Sequence, residues 1–196
     1  MDDMNSAVSN MKTMQKNIFL LSLAFVFCLC ACKESEIYPS TPSIDYKSLN
    51  FYSDTAGGIS TVKLTFTFKD GDGDLGLEDK DTLSPFNNFT DANRTVLNKY
   101  YYNCYVYPLK SINGVFTNIN KAFSSDTLFD AFRVQNLTPD GKHKAIRGDI
   151  EVEVDPNLFT SGYITNNDTL KYRIFIYDRA LHQSNVVESP AFMWPN

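Results

Sequence analysis

The sequence predicts an all-β protein whose folded domain is an antiparallel β-sandwich of about seven to eight strands. Apolar and polar residues alternate at residues 61–69 and again at residues 145–155, which is typical of strands with one buried face. Turn-forming residues separate the short apolar segments, and no stretch has the periodicity of a long helix. At 196 residues, 43% of them hydrophobic, the chain is long enough for one domain with its own core.

The first 31 residues predict a signal peptide. Residues 11–16 (MKTMQK) supply a basic start, and residues 18–27 supply an apolar core that is too short to span a membrane. Residues 1–10 fit no part of this pattern, so we expect translation to begin at Met11. The chain is therefore expected to leave the cytoplasm.

The signal ends in the tetrad Leu29-Cys30-Ala31-Cys32. This tetrad resembles the lipobox of bacterial lipoproteins. The resemblance implies that Cys32 becomes the first mature residue, with a diacylglyceryl group on its thiol and an acyl chain on its amine. Several acyl chains would anchor the protein stably to a membrane. An ordinary signal peptide cut near Ala31, with Cys32 incidental, is the alternative.

Residues 32–46 are predicted to hold the lipidated cysteine and a flexible tether, because they contain Pro39, Pro42 and several Ser and Thr residues. Residues 47–196 then form the domain. The charged stretch at residues 33–36 (KESE) is similar to the export tag of Bacteroidota surface lipoproteins. This similarity implies an outer membrane lipoprotein exposed on the cell surface. A solvated acidic tether is the simpler explanation of the same residues.

Cysteine usage and charge exclude two classes of protein. Cys28 and Cys30 leave with the signal and Cys32 carries lipid, so Cys104 has no partner for a disulfide within the domain. We interpret Cys104 as a small core residue. The net charge is −5 and no basic stripe is present, which excludes a nucleic-acid partner.

The elements follow one another as short strands and turns. We predict strands at residues 48–53, 61–69, 100–107, 131–137, 145–155, 170–178 and 185–192, with a hairpin turn at Asn113-Gly114. Pro108 is expected to help end the third strand, and residues 71–98 form a long connection without periodicity. Residues of shared parity on the alternating strands are predicted to fill the core: Phe66, Phe68, Ile150, Val152, Ile174 and Ile176.

Two motifs carry a wider resemblance. The stretch FTFKDGDGDLG at residues 66–76 and the stretch YDRALHQSN at residues 177–185 resemble Ig-like or cadherin-like domains of Bacteroidota surface lipoproteins. The resemblance covers most of residues 45–192. It implies that the sandwich is Ig-like, with the loops after the second and penultimate strands at the same end.

The acidic loop, defined here as residues 70–81, predicts a calcium site. Asp70, Asp72 and Asp74 are spaced two apart with glycines between them, so their carboxylates can converge on one hard cation. Glu78 follows in the same loop. The Ig-like topology would bring Asp178, from the loop after the penultimate strand (the second loop, residues 178–185), to complete the cage.

Two other interpretations of the acidic loop were weighed. An EF-hand is excluded because its sixth position, which must be glycine, is Leu75, and no helices flank the loop. An acidic turn without an ion remains the alternative to a metal site.

Four Asp-Thr pairs, each followed by a small or aliphatic residue, look like the O-glycosylation signal of exported Bacteroidota proteins. They are also ordinary turn sequences. The candidate acceptors are Thr55, Thr82, Thr127 and Thr169.

Catalytic signals are weak. His143 and His182 lie in predicted loops without zinc-type spacing, and neither a GxSxG elbow nor a phosphate loop is present. The carboxylates Glu151, Glu153 and Asp155 alternate on a predicted solvent face, which is typical of a charged surface rather than a glycosidase site.

We therefore expect a non-enzymatic, membrane-anchored surface lipoprotein with a binding or structural role and a protein or glycan partner. The alternative is a glycan or peptide hydrolase of the secreted compartment with an unrecognised site. A pocket with two close carboxylates, or a His–carboxylate pair, would favour the hydrolase. A filled core with an ion site only at the loop end would favour the binding module.

Overall fold

The computed structural model describes Met14, Lys16 and residues 37–53, 59–120, 127–138, 144–155, 163–165 and 167–194. The predicted signal core, Cys32, Thr55 and His143 lie outside the described residues. In this described part of the chain, no helix has both the length and the apolar character needed to span a membrane.

In the described residues, nine strands form two antiparallel sheets. The strands are β1 (Ser43–Ser53), β2 (Ile59–Asp70), β3 (Cys104–Ile112), β4 (Val115–Asn118), β5 (Asp130–Phe132), β6 (Ile146–Val154), β7 (Thr169–Ile176), β8 (Val187–Glu188) and β9 (Phe192–Met193). The first sheet has the order β1-β2-β6 and the second β4-β3-β7-β8, with β5 on β3 and β9 on β7. These two antiparallel sheets confirm the predicted all-β sandwich.

The core lies between the two sheets and follows the alternation of the sequence. On β2 the residues Val62, Leu64, Phe66 and Phe68 are buried, and Phe66 pairs with Ile150 of β6 while Leu64 pairs with Val152. On β7 every second residue is buried in the same way. All six predicted core residues are at most 6% exposed: Phe66, Phe68, Ile150, Val152, Ile174 and Ile176. The predicted core is therefore confirmed.

The folded domain begins earlier than predicted. Strand β1 starts at Ser43, whereas residues 32–46 were assigned to the tether. Ile44 pairs with Phe68 and is 1% exposed, and Tyr46 pairs with Phe66. The tether assignment was wrong at its C-terminal end because the prolines and serines of this segment concealed a short alternating pattern.

Strand β3 runs straight through Pro108, which was predicted to help end it. Pro108 lies opposite Tyr172, whose N–H donates to Ser189 Oγ (3.0 Å) and whose C=O accepts the Ser189 N–H (2.8 Å). Tyr172 thus bonds on the side away from Pro108. On its other edge, β3 pairs with β5 only as far as Val106, and its pairing with β4 begins at Leu109. The missing N–H of proline therefore removes no ladder bond.

The turn between β3 and β4 is the predicted hairpin. Asn113 and Gly114 have φ values of 53° and 82°, the left-handed conformation that an Asn-Gly type I′ turn requires. By contrast, the predicted last strand is divided into β8 and β9, which are separated by a break at Pro190.

Strand β5 is shorter than predicted and ends at Phe132. The following residues run beside the acidic loop instead of extending the sheet. Leu77 donates its N–H to Val134 O (2.9 Å), and Leu77 O accepts the Asn136 N–H (3.1 Å). This pairing holds one side of the candidate site.

Candidate metal centre

The acidic loop is anchored at both ends rather than free. It begins at Asp70, the last residue of β2, and returns to the core at Leu75 and Leu77, each 1% exposed. Gly73 has a φ of +70°, and a Cβ there would lie 2.2 Å from Lys144 O. The loop therefore needs glycine at this position, both for its curl and for its close approach to the start of β6.

Three carboxylates converge inside this curl. One oxygen each from Asp70, Asp72 and Asp74 lies within 4.8 Å of the others. Asp70 is fully buried, and the Oδ1 atoms of all three aspartates are shielded from solvent without a hydrogen-bond partner in the structure. Buried polar atoms are nearly always satisfied, so three unpaired carboxylate oxygens at one place form a group that could hold a metal ion.

The second oxygens of two of these aspartates are fixed by backbone donors. Asp70 Oδ2 accepts the Leu75 N–H at 3.1 Å, and Asp74 Oδ2 accepts the Ala180 N–H at 3.0 Å. These bonds hold the carboxylate planes in place. These two backbone donors orient the unpaired Oδ1 atoms of Asp70 and Asp74.

The pKa values report the same crowding. Burial, with the adjacent Asp72 carboxyl and the charges of Asp72 and Asp74, raises the pKa of Asp70 to about 7. Burial and then the negative charges of Asp178 and Asp72 raise the pKa of Asp74 above its usual value. A divalent cation would offset both the cost of burying these carboxylates and the repulsion between them.

The second loop lies against the first, as the topology predicted. Strands β2 and β7 belong to opposite sheets, and the Arg179 N–H donates to Asp74 O at 3.3 Å. Asp178 is 2% exposed, and burial raises the pKa of its carboxyl. Its Oδ1 accepts the His182 N–H at 2.7 Å, and its Oδ2 lies 2.9 Å from His182 Nδ1. The charge of Asp178 acts on Asp74 and that of Asp72 acts on Asp178, so Asp178 borders the cluster, but its oxygens are not among the three that converge within 4.8 Å.

Glu78 is not brought to the cluster. Its carboxylate pairs with Lys80 Nζ at 2.5 Å and with Asn136 Nδ2 at 3.4 Å. Because Leu75 and Leu77 turn the chain back into the core, Glu78 comes out on the far side of the loop.

Two arginines that the sequence analysis missed fasten the long β2–β3 connection. Arg179 makes a two-pronged contact with Asp81, at 2.5 and 3.2 Å. Arg133 donates to the backbone oxygens of Glu78 (3.1 Å) and Asp81 (3.0 Å). Arg179 could have been identified from the sequence because it lies within the YDRALHQSN motif, whereas the sequence around Arg133 contains no motif that identifies it.

The same motif ends in a clasp between the sheets. Asn185 Oδ1 accepts the Ile44 N–H and Asn185 Nδ2 donates to Ile44 O, both at 2.8 Å. Ser184 Oγ accepts the Ile176 N–H at 3.0 Å. The side chain of Asn185 thus pairs with β1 as another strand would, which explains the terminal Ser-Asn of the motif.

The remaining candidate residues are dispersed. Cys104 is buried in the core, as predicted, and burial raises the pKa of its thiol. Glu151 and Glu153 pair with Lys63 at 2.8 and 3.3 Å on the outer face of the first sheet, in keeping with a charged surface.

Among the candidate glycosylation sites, Thr82 and Thr169 are exposed and Thr127 is half-buried. These threonines are accessible to different degrees, and their modification remains a prediction.

Two described clefts lie away from the acidic loop. Clefts of about 720 and 630 Å³ adjoin along Leu97 and Lys99, and aromatic side chains including Tyr100 and Tyr107 line them. The four carboxylates and His182 line neither cleft. No family model, curated protein or solved structure matches the chain.

Proposed function

We propose that the protein is a calcium-stabilised Ig-like module, carried as a lipoprotein on the outer surface of a bacterial outer membrane, with a binding or structural role. The observation that carries the calcium part is the set of three buried, unpaired Oδ1 atoms on Asp70, Asp72 and Asp74. The tetrad ending in Cys32 and the KESE stretch support the anchored, surface-exposed part.

Calcium suits this cluster better than magnesium does. The oxygens are shielded from solvent, so an ion there must give up most of its water and accept protein oxygens instead. Mg²⁺ dehydrates reluctantly and keeps several waters, whereas Ca²⁺ accepts six to eight oxygen ligands in flexible geometry. Asp178, backbone carbonyls or water would supply the remaining ligands.

The direct test is thermal unfolding of the mature protein in detergent, with calcium and with EDTA. At roughly 1 mM calcium and a dissociation constant of about 10⁻⁴ M, binding adds about 1.4 kcal/mol to the free energy of unfolding. We expect a melting temperature a few degrees higher in calcium than in EDTA, and a smaller shift in magnesium.

Asp72→Ala should erase this calcium shift. In EDTA the variant should melt no lower than the wild-type protein, because removing one of three crowded carboxylates relieves their repulsion. Asp79→Ala is the matched control, because Asp79 is an exposed aspartate of the same loop outside the cluster. This control should keep the full shift. Equal melting in calcium and EDTA, with no heat on titration, would reduce the acidic loop to an ordinary turn.

The hydrolase alternative has one observation in its favour, the His182–Asp178 pair at 2.9 Å beside two further carboxylates. Such a pair can orient an imidazole as a general base. We rank it second because the pair lies at the loop end outside the two clefts, and because the core between the sheets is filled by apolar residues. Release of p-nitrophenol from p-nitrophenyl esters or glycosides, lost in His182→Ala, would favour this alternative.

A further inference from the structure

We infer that the calcium centre is also a clamp on the segment that leads out of the domain on the N-terminal side of β1. This exit segment, defined here as residues 37–42, precedes β1. The inference rests on the calcium site proposed above and adds a mechanical role to it: the bound ion fixes where the exit segment lies on the domain.

The exit segment crosses the acidic loop between two of the candidate ligands. Gly71, which separates Asp70 from Asp72, donates its N–H to Pro39 O at 2.9 Å. A Cβ on Gly71 would lie 2.1 Å from Tyr38 O and 2.5 Å from Pro39 O. The two backbones are therefore in direct contact, and only glycine allows this approach.

Apart from this bond, the first part of the exit segment is held by Tyr38, which is half-buried with its hydroxyl shielded from solvent. Ile37 is 94% exposed, and Pro39, Ser40 and Thr41 are exposed as well. The Tyr38 ring has the Lys69 ammonium 5.7 Å from its centroid. Because exposed residues with few buried contacts open easily, the position of this segment depends strongly on the Gly71 hydrogen bond.

The ion controls that hydrogen bond through the backbone of the loop. Asp70 is fully buried with an unpaired Oδ1, and its charge lies next to those of Asp72 and Asp74. Without a cation, repulsion between the carboxylates favours spreading of residues 70–74, which moves the Gly71 N–H away from Pro39. With a cation, the carboxylates draw together and the Gly71 N–H stays in place.

Limited proteolysis of the mature protein in detergent tests the clamp. Papain is suitable because it needs no calcium, and cleavage sites can be mapped by intact mass. If cleavage within residues 37–42 requires opening, roughly 1 mM calcium with a dissociation constant of about 10⁻⁴ M should slow it about tenfold relative to EDTA. Cleavage at the exposed Asn113-Gly114 turn, at the other end of β3, is the internal reference and should be unchanged.

Gly71→Ala separates the clamp from the ion. The added methyl cannot coexist with the crossing, so the exit segment should be cut rapidly both with calcium and with EDTA. If this variant fails to fold, the pair Asp72→Ala and Asp79→Ala carries the test. Asp72→Ala should abolish the calcium effect on cleavage, and Asp79→Ala should retain it.

The outcomes distinguish the clamp from the calcium site itself. A melting shift in calcium without a change in exit-segment cleavage would overturn the clamp and leave the ion site standing. Absence of both effects would overturn the ion site and the clamp together. Equal slowing at the exit segment and at the Asn113-Gly114 turn would also overturn the clamp, because it would indicate general stabilisation only.

Discussion

At the scale of single residues, the burial of charge decides how this protein responds to its surroundings. Asp70 is fully buried with one oxygen unpaired, and Asp74 and Asp178 border it with pKa values raised chiefly by burial. These buried negative charges destabilise the folded state without calcium, and this destabilisation is relieved when a cation or a proton neutralises them.

This arrangement predicts that the calcium-free protein is more stable at about pH 5.5 than at about pH 8. The pKa of Asp70 is about 7 in the folded state against an ordinary value of 3.8, so the folded state holds a proton that the unfolded state has lost. This contribution to stability is present at low pH and disappears as pH rises through about 7. The raised pKa of His182 acts in the same direction.

Groups with lowered pKa values oppose this trend only in stronger acid. Asp81, held by Arg179, loses its contribution as pH falls below its ordinary value of 3.8, outside the chosen window. Urea unfolding in metal-free buffer at the two pH values measures the effect. A free energy of unfolding that is higher at about pH 8 than at about pH 5.5 would contradict the assignment of Asp70.

The sequence was informative at this scale where neighbours in the chain are neighbours in space. The spacing of Asp70, Asp72 and Asp74 predicted their convergence, which the structure contains. The position of Asp178 beside the acidic loop followed from the predicted topology. Glu78 was misplaced because Leu77 returns to the core and turns Glu78 away from the aspartates. The Arg133 contacts span more than 50 positions, and such pairs leave no local pattern.

At the scale of elements, the alternation of apolar and polar residues predicted correctly those strands that have one buried face and one solvent-exposed face. Strands β2 and β6 lie side by side with their apolar residues in register, and their outer faces carry charged residues in contact with one another. Prediction failed where pairing is local and interrupted. Strand β3 tolerates Pro108 only because its neighbours leave that position unpaired, a fact visible only after assembly.

Truncating a core residue of β2 should have a large effect. Phe66 is fully buried between the sheets, so Phe66→Ala should lower the free energy of unfolding by about 3–5 kcal/mol through lost burial and a cavity. Thr67→Ala changes the neighbouring residue on the opposite face and should stay within about 0.5 kcal/mol. Denaturant unfolding compares the two variants. Similar small effects for both would show that Phe66 does not pack in the core.

At the scale of the whole molecule, the arrangement of the two sheets brings the acidic loop, the second loop and the exit segment to one end. The antiparallel β-sandwich could be predicted because it follows from the alternation and turn chemistry of short strands along the chain. The crossing of the exit segment over Gly71 could not be predicted, because it depends on where β1 begins, and its first residues had been assigned to the tether.

The proposed anchor has its own test. Cys32→Ala should abolish partitioning into the detergent phase and leave a soluble or unprocessed species, because the acyl chains would have no attachment site. External protease should remove the wild-type domain from intact cells. Continued partitioning of the variant would contradict lipidation at Cys32, and full protection from protease would place the domain on the periplasmic side.

The clasp of Asn185 on Ile44 joins positions 141 residues apart, and this separation sets the order in which the protein can fold. Contacts between distant residues form late, since a long loop must close before they return any free energy. Strand β1 can pair with β2 early, but the clasp at Ile44 waits until Asn185 has been synthesised. A chain that is exported unfolded, as a lipoprotein would be, has the advantage that its native state cannot be completed before the C-terminus has left the ribosome.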